Sequence, residues 1–184
     1  MESIINPILR RIASIAGRPV IFGIDGPCGS GKSTLAAALA ARIDCNIIRA
    51  DDFFLPPAAE RGDINCDTER LGAVLADIRS GGGTLTYDKY DCASGQMLPI
   101  RIAAKPVTVV EGSYSACPAL RGQLDFFVFL DIARDKQLER LKVRDPDKFG
   151  RFVAEWIPAE EGYFEKYQIR QFAQKQPNMY IIRN

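Results

Sequence analysis

The sequence predicts an α/β domain, a mostly parallel five-stranded sheet flanked by helices. Apolar runs of strand length, PVIFGID (19–25), CNIIRA (45–50), KPVTVVEG (105–112), DFFVFLDI (125–132) and NMYII (178–182), alternate with helix-forming stretches. The runs are continuously apolar rather than alternating in and out, as strands covered on both faces must be. A length of 184 residues suits one domain with a sizeable core, so residues 1–184 are read as a single unit.

In order, residues 1–17 hold a leading amphipathic helix, with Ile4, Ile5, Ile8, Ile12 and Ile15 near helical spacing. The strand 19–25 runs into a glycine-rich turn and then an alanine- and leucine-rich helix, 32–43. After the strand 45–50, the polar, proline-bearing stretch 51–67 reads as a loop, and the helix 68–80 is stopped by Gly81, Gly82 and Gly83. Residues 84–102 alternate in short pieces around a Ser-Gly turn, a small β-hairpin excursion. The third and fourth strands follow, then a helix at 134–144 that Asp131 is expected to cap, a charged connection at 145–152 and a helix over 153–174 interrupted at Pro158. No repeat or low-complexity segment occurs.

Hydrophobic residues make up 47% and charged residues 26%, and the net charge is +1. Nothing global therefore points to nucleic acid or an anionic membrane. No apolar run reaches the length of a membrane span, and the N-terminus lacks a secretory signal, so the expectation is a cytoplasmic protein. The five cysteines are scattered without a CxxC pair, and there is no histidine. A zinc site is not indicated, and any general base must be a carboxylate or, failing that, a lysine or tyrosine.

Gly26-Pro27-Cys28-Gly29-Ser30-Gly31-Lys32-Ser33 fits G-x-x-x-x-G-K-[ST] between a predicted strand and a predicted helix. In such a phosphate loop the backbone N–H groups turn inward and the helix presents its positive end to the phosphates. Gly26, Gly29, Ser30, Gly31, Lys32, Ser33 and Thr34 are the expected nucleotide contacts. Lys32 reaches the β/γ-phosphates and Ser33 binds Mg²⁺. The fold class sharpens to the three-layer P-loop NTPase type.

Three classes share this loop. A GTPase switch needs a late Asn-Lys-x-Asp; the nearest string, Asp88-Lys89-Tyr90-Asp91, has the wrong first residue and comes too early. A mechanical ATPase usually ends an apolar strand in Asp-Glu, whereas here Asp131 and Glu111 each stand alone. A small-molecule kinase needs a carboxylate near the γ-phosphate and cations around it. Asp51 and Asp52 follow the second strand, at the sheet edge where ligands bind in open α/β folds. The same edge receives the phosphate loop and Glu111. Arg140, Lys142, Arg144, Lys148 and Arg151 crowd the stretch after the fourth strand, as a lid over 140–152 would require.

GPCGSGKST, ADDFF, CDTERL, VVEGSYS, VRD…GRF and WIPAEEGYF, in this order, resemble the uridine kinase/phosphoribulokinase family of P-loop kinases. The likeness runs from Pro19 to the C-terminus and is greatest toward bacterial uridine-kinase-like members. It implies that Asp51 is the base for the acceptor hydroxyl and a partner of Mg²⁺, that Glu111 helps hold the metal, and that Arg144 and Arg151 meet the ATP phosphates. It further implies that Asp67 grips ribose hydroxyls and Tyr87 lies beside the base. The chain departs from the family pattern in three ways. It lacks the histidine after the Tyr-Asp pair, carries Phe54 where a tyrosine is usual, and carries Leu141 where a further lid arginine is common.

Asp51, Asp52, Asp63 and Asp67 against Arg61 and Arg70 suit a neutral acceptor with vicinal hydroxyls better than a monophosphate. The substrate set is thus Asp52, Phe54, Asp67 and Tyr87, and the catalytic set Asp51, Lys32, Arg144 and Arg151. The expected activity is ATP- and Mg²⁺-dependent phosphorylation of a small-molecule hydroxyl, foremost the 5′-hydroxyl of a nucleoside. Pantothenate or a sugar as acceptor, or a regulatory ATPase without one, stays open. So do homo-oligomerisation and the choice of ATP over GTP.

Overall fold

The computed structural model describes residues 2–15, 17–56 and 62–175 and the backbone of 180–183. Four parallel strands make the body of the main sheet: β1 (Val20–Asp25), β2 (Cys45–Arg49), β5 (Val107–Glu111) and β6 (Phe126–Asp131), in the order β2-β5-β1-β6. The expected five comparable strands are in this sense four, because the last, β7 (Tyr180–Arg183), is a short edge segment pairing in parallel with β6 from Val128–Tyr180 to Asp131–Arg183. Between β2 and β5 in sequence, β3 (Thr84–Asp91) and β4 (Gln96–Ala103) form a separate antiparallel hairpin, Thr84 opposite Ala103 and Asp91 opposite Gln96.

β6 shows why the strands read as unbroken apolar runs. Phe126, Val128 and Leu130 join one core, with Ile5 and Ile8 of α1 (Glu2–Ala13) and Leu35 and Leu39 of α2 (Lys32–Ala40). Phe127 and Phe129 join the other. Its partners are Leu71 and Leu75 of α3 (Thr68–Arg79), Leu120 of α4 (Pro118–Arg121), Tyr163 and Phe164 of α7 (Ile157–Lys166) and Ile169 of α8 (Ile169–Lys175). Both faces of the strand are dry, so neither parity of residue can be polar. Each fully buried phenylalanine contributes on the order of 2–3 kcal/mol of transfer free energy.

Register sets the working edge. Arg49 of β2 stands opposite Glu111 of β5, and Glu111 opposite Ile24 of β1. The residues that follow these strands therefore emerge side by side. After β2, Ala50–Phe53 wind into a single 3₁₀ turn inside the stretch expected to be loop.

Beyond β6, α5 (Arg134–Arg144) is capped by Ala133 rather than Asp131, which instead pairs with Arg170 at 3.6 Å. The charged connection holds a single helical turn, α6 (Phe149–Arg151). Phe152–Trp156 then wind as one wide π-type turn that leads directly into α7. Pro158 follows directly on this wide turn, inside a helical run that continues from α6 into α7, so the interruption expected at Pro158 is a local opening of the hydrogen-bond ladder rather than an end of the helix. A sharper break comes at Tyr167–Gln168, where Gln168 adopts φ 49°. Among the described residues, no helix is long and apolar enough to cross a membrane.

Candidate active site

The loop after β1 is fixed from below. Asp25, fully buried, accepts hydrogen bonds from the Gly26 and Ala116 N–H groups (2.7 and 3.0 Å) and from the Tyr163 hydroxyl (2.9 Å). Burial pushes its carboxyl upward and these donors oppose the shift. Gly26 has φ 142°, and a Cβ there would stand 2.3 Å from the Leu130 carbonyl oxygen. No side chain fits, which is why the loop must begin with glycine.

Lys32 opens α2 and folds back over the loop. Its Nζ donates to the carbonyls of Gly26 (2.7 Å) and Pro27 (3.0 Å) and to the Ser113 hydroxyl at 3.4 Å. The Ser33 hydroxyl donates to Glu111 Oε1 at 3.1 Å, across from the end of β5. Gly29, Ser30, Gly31 and Thr34 line the same cleft, while Gly26 lies behind it.

Asp51 enters from the 3₁₀ turn after β2. Gly112, next to Glu111, has φ 134°, and a Cβ there would lie 2.8 Å from the Ala50 Cβ. The bend after β5 is thereby pressed against the turn that carries Asp51. Burial pushes the Asp51 carboxyl up, with Glu160 and Asp52 adding to the shift and Lys32 opposing it. Glu111 is raised by burial and by Asp51, against Lys32 and Ser33. Burial and the Asp51 charge leave Glu111 short of positive charge, although Lys32 opposes the shift of both carboxyls and Arg49 approaches Glu111 to 3.6 Å.

That deficit and the donor set fit Mg²⁺. A hydroxyl and one or two carboxylates suffice for an ion that keeps waters and phosphate oxygens as its other ligands. Among the described residues no cluster of three His, Cys, Asp or Glu side chains offers a complete protein cage.

Opposite stands a basic wall. Arg140 donates to the Gly29 carbonyl at 3.3 Å, the Arg144 guanidinium lies 5.1 Å from the centre of the Phe152 ring, and Arg151 pairs with Glu155 at 3.1 Å over Trp156. Arg140, Arg144, Lys148 and Arg151 all face the cleft. Leu141 is fully buried, packed with Phe152 and Ile157 and against Gly29. The position of the family's further arginine here is core.

The cleft measures ≈ 1830 Å³, more than one small ligand occupies, and has room for two molecules side by side. On the side away from the phosphate loop it is lined by Phe54, Asp63, Asn65 and Tyr114. Asp52, Asp67 and Tyr87 are not among its lining residues. Asp52 takes the Tyr87 hydroxyl at 3.4 Å and lies 3.5 Å from Lys89. Tyr87 stacks on Phe53 at 5.2 Å, and burial with Asp52 pushes its hydroxyl up to about 12. Asp67 is the N-cap of α3, accepting the Arg70 N–H at 2.9 Å. Asp63 pairs with Lys166. Arg61 lies outside the described residues.

A buried polar residue escaped the sequence reading. Glu160 of α7 is buried, accepting the Cys28 N–H (2.8 Å) and the Ser113 hydroxyl (2.6 Å). The signal was present, since Ile157, Glu160 and Phe164 recur at helical spacing and place a carboxylate in an apolar stripe. Burial and the Glu160 charge push the Cys28 thiol up to about 12, which makes it inert.

No protein-family model matches the chain. It is 31% identical over 73% of its length to a uridine kinase of Chloroflexus aurantiacus, covering 72% of that protein. It is 27% identical over 91% of its length to a pantothenate kinase of Streptomyces avermitilis, and spans 59% of the length of that relative. Its fold matches that of a protein described as a possible uridine kinase from Bacillus stearothermophilus, with a TM-score of 0.72 at 18% identity over 98% of this chain and 100% of the other.

Proposed function

Because the chain belongs to the uridine kinase/phosphoribulokinase family of P-loop kinases, we propose that it transfers the γ-phosphoryl group of ATP to a hydroxyl of a small molecule. The observation that carries this reading is the convergence on one cleft of Lys32, the Ser33–Glu111 pair and Asp51, facing a wall of arginines.

The loop amides and Lys32 hold the donor phosphates. Ser33, Glu111 and Asp51 would hold Mg²⁺, which when bound spreads the charge of the phosphate oxygens. Asp51 takes the proton from the acceptor hydroxyl as it approaches the phosphorus. Residues 140–152 act as a lid: Arg144 and Arg151 swing from their aromatic supports onto the transferring group, where they stabilise charge and exclude water.

The acceptor is a nucleoside in the first reading, by likeness to uridine kinases. A second, pantothenate or a sugar, is favoured by the longer match to a pantothenate kinase and by the absence of any histidine. ADP release against a panel of nucleosides, sugars and pantothenate tests both. Release that depends on one acceptor is expected; equal release with none would leave an ATPase.

A further inference from the structure

The peptide of Cys28 is gripped from both sides. Its N–H donates to Glu160 Oε2 at 2.8 Å, and its carbonyl accepts from Gln137 Nε2 at 2.9 Å. Gln137 belongs to α5, the helix that leads into the basic stretch, and Glu160 to α7, the helix that leads out of it. Both side chains are buried, Gln137 at 3% and Glu160 at 7% exposure, so neither bond has water as an easy substitute. The second Glu160 oxygen takes the Ser113 hydroxyl, whose oxygen in turn lies 3.4 Å from Lys32 Nζ.

We propose that Gln137 and Glu160 are positioning residues that tie the two legs of the lid to the phosphate loop, so that nucleotide seated on the loop and closure of the lid favour one another. Phosphates drawn onto the loop amides pull on the Cys28 peptide, and both legs feel the pull through short, buried bonds. Linkage makes the effect mutual: whatever the lid position adds to nucleotide affinity, nucleotide adds to lid closure. The motif allows any residue at Cys28 because its backbone, not its side chain, carries the coupling. The inference rests on nucleotide binding at the loop and on residues 140–152 being a lid, and does not depend on which acceptor is used.

The variants are Gln137→Met, which keeps length and apolar packing while losing the donor, and Glu160→Met, which keeps length while losing the acceptor for the Cys28 N–H. The probe is a non-hydrolysable ATP analogue with Mg²⁺. Its affinity is read by calorimetry, and lid position by the rate of tryptic cleavage after Arg144, Lys148 and Arg151.

In the unchanged chain, saturating analogue is expected to slow lid cleavage about tenfold or more. In the double variant it should still bind, weakened by about tenfold or less, while protection falls below about twofold. Full protection in the double variant would overturn the proposal, as would analogue binding that never protects the unchanged lid. Failure of the unchanged chain to bind the analogue would sink the nucleotide reading itself. Should Glu160→Met not fold, by circular dichroism, Gln137→Met alone decides by the same two readouts.

Discussion

On the donor side of the cleft, the polar side chains of the motif face the cavity; on the other side, three of the four substrate candidates are taken up by contacts outside it. Lys32 and Ser33 line the cleft, Lys32 folded back onto carbonyls of its own loop and Ser33 reaching the Glu111 carboxylate. Asp52, Asp67 and Tyr87 are engaged with Lys89, the start of α3 and Phe53. The difference reflects what each half uses to bind. Phosphates are held by main-chain amides, whose direction follows from glycine spacing and is the same in every chain carrying the motif. An acceptor is held by side chains, and a side chain at a matching position can be taken over by a cap or a stack.

The comparison can be broken in steps. The largest effect belongs to Asp51→Asn, which should lower transfer by about 10²–10⁴-fold while nucleotide affinity stays near that of the unchanged chain. It should also melt higher in chelator-treated buffer at pH 7. The folded-state pKa of Asp51 is raised, so its contribution to stability is present below the unfolded value and lost as pH rises through the folded one. A neutral asparagine escapes that loss, and melting curves from pH 4 to 7 should show the two proteins diverging. Unchanged turnover would remove Asp51 from the mechanism.

Lys32→Met comes next, with a loss of about 10²–10³-fold in turnover. Its measure is steady-state ADP release with saturating acceptor.

Asp67→Ala should cost about 1 kcal/mol of stability through the lost cap, read by urea unfolding, and leave the acceptor KM within about twofold. A tenfold rise in that KM would make Asp67 a reader of the acceptor and close the gap between the two halves. Smallest is Tyr87→Phe, which removes one long hydrogen bond and should cost about 0.5 kcal/mol with no change in specificity. A change in preference among acceptors would place Tyr87 beside the substrate.

Strand positions were legible because β1, β5 and β6 are buried on both faces and write that burial as unbroken apolar runs. The phosphate loop was legible for the same local reason. What stayed hidden depends on contacts far apart in sequence. Glu160 looks like one of two neighbouring surface glutamates until α7 packs beneath the loop, 132 residues from Cys28. The start of the helix at Thr68 was legible, and with it the place of Asp67 as its cap, a local role from which the family resemblance drew attention away. α4 spans only four residues, too few to show a helical period. Pro158 marked the irregularity, but nothing local told that the chain would stay helical through a wide turn just before it.

The wide turn at Phe152–Trp156 amounts to one surplus residue in an otherwise regular helix. Each residue of an α-helix advances the azimuth by about 100°, so chain length at this point acts as a phase setting. Deleting one residue would leave Glu160 anchored and the phosphate loop intact, yet rotate Arg151 a quarter-turn or more off the cleft. A single in-frame codon loss is thus expected to take Arg151 away from the cleft while every residue of the phosphate loop stays in place.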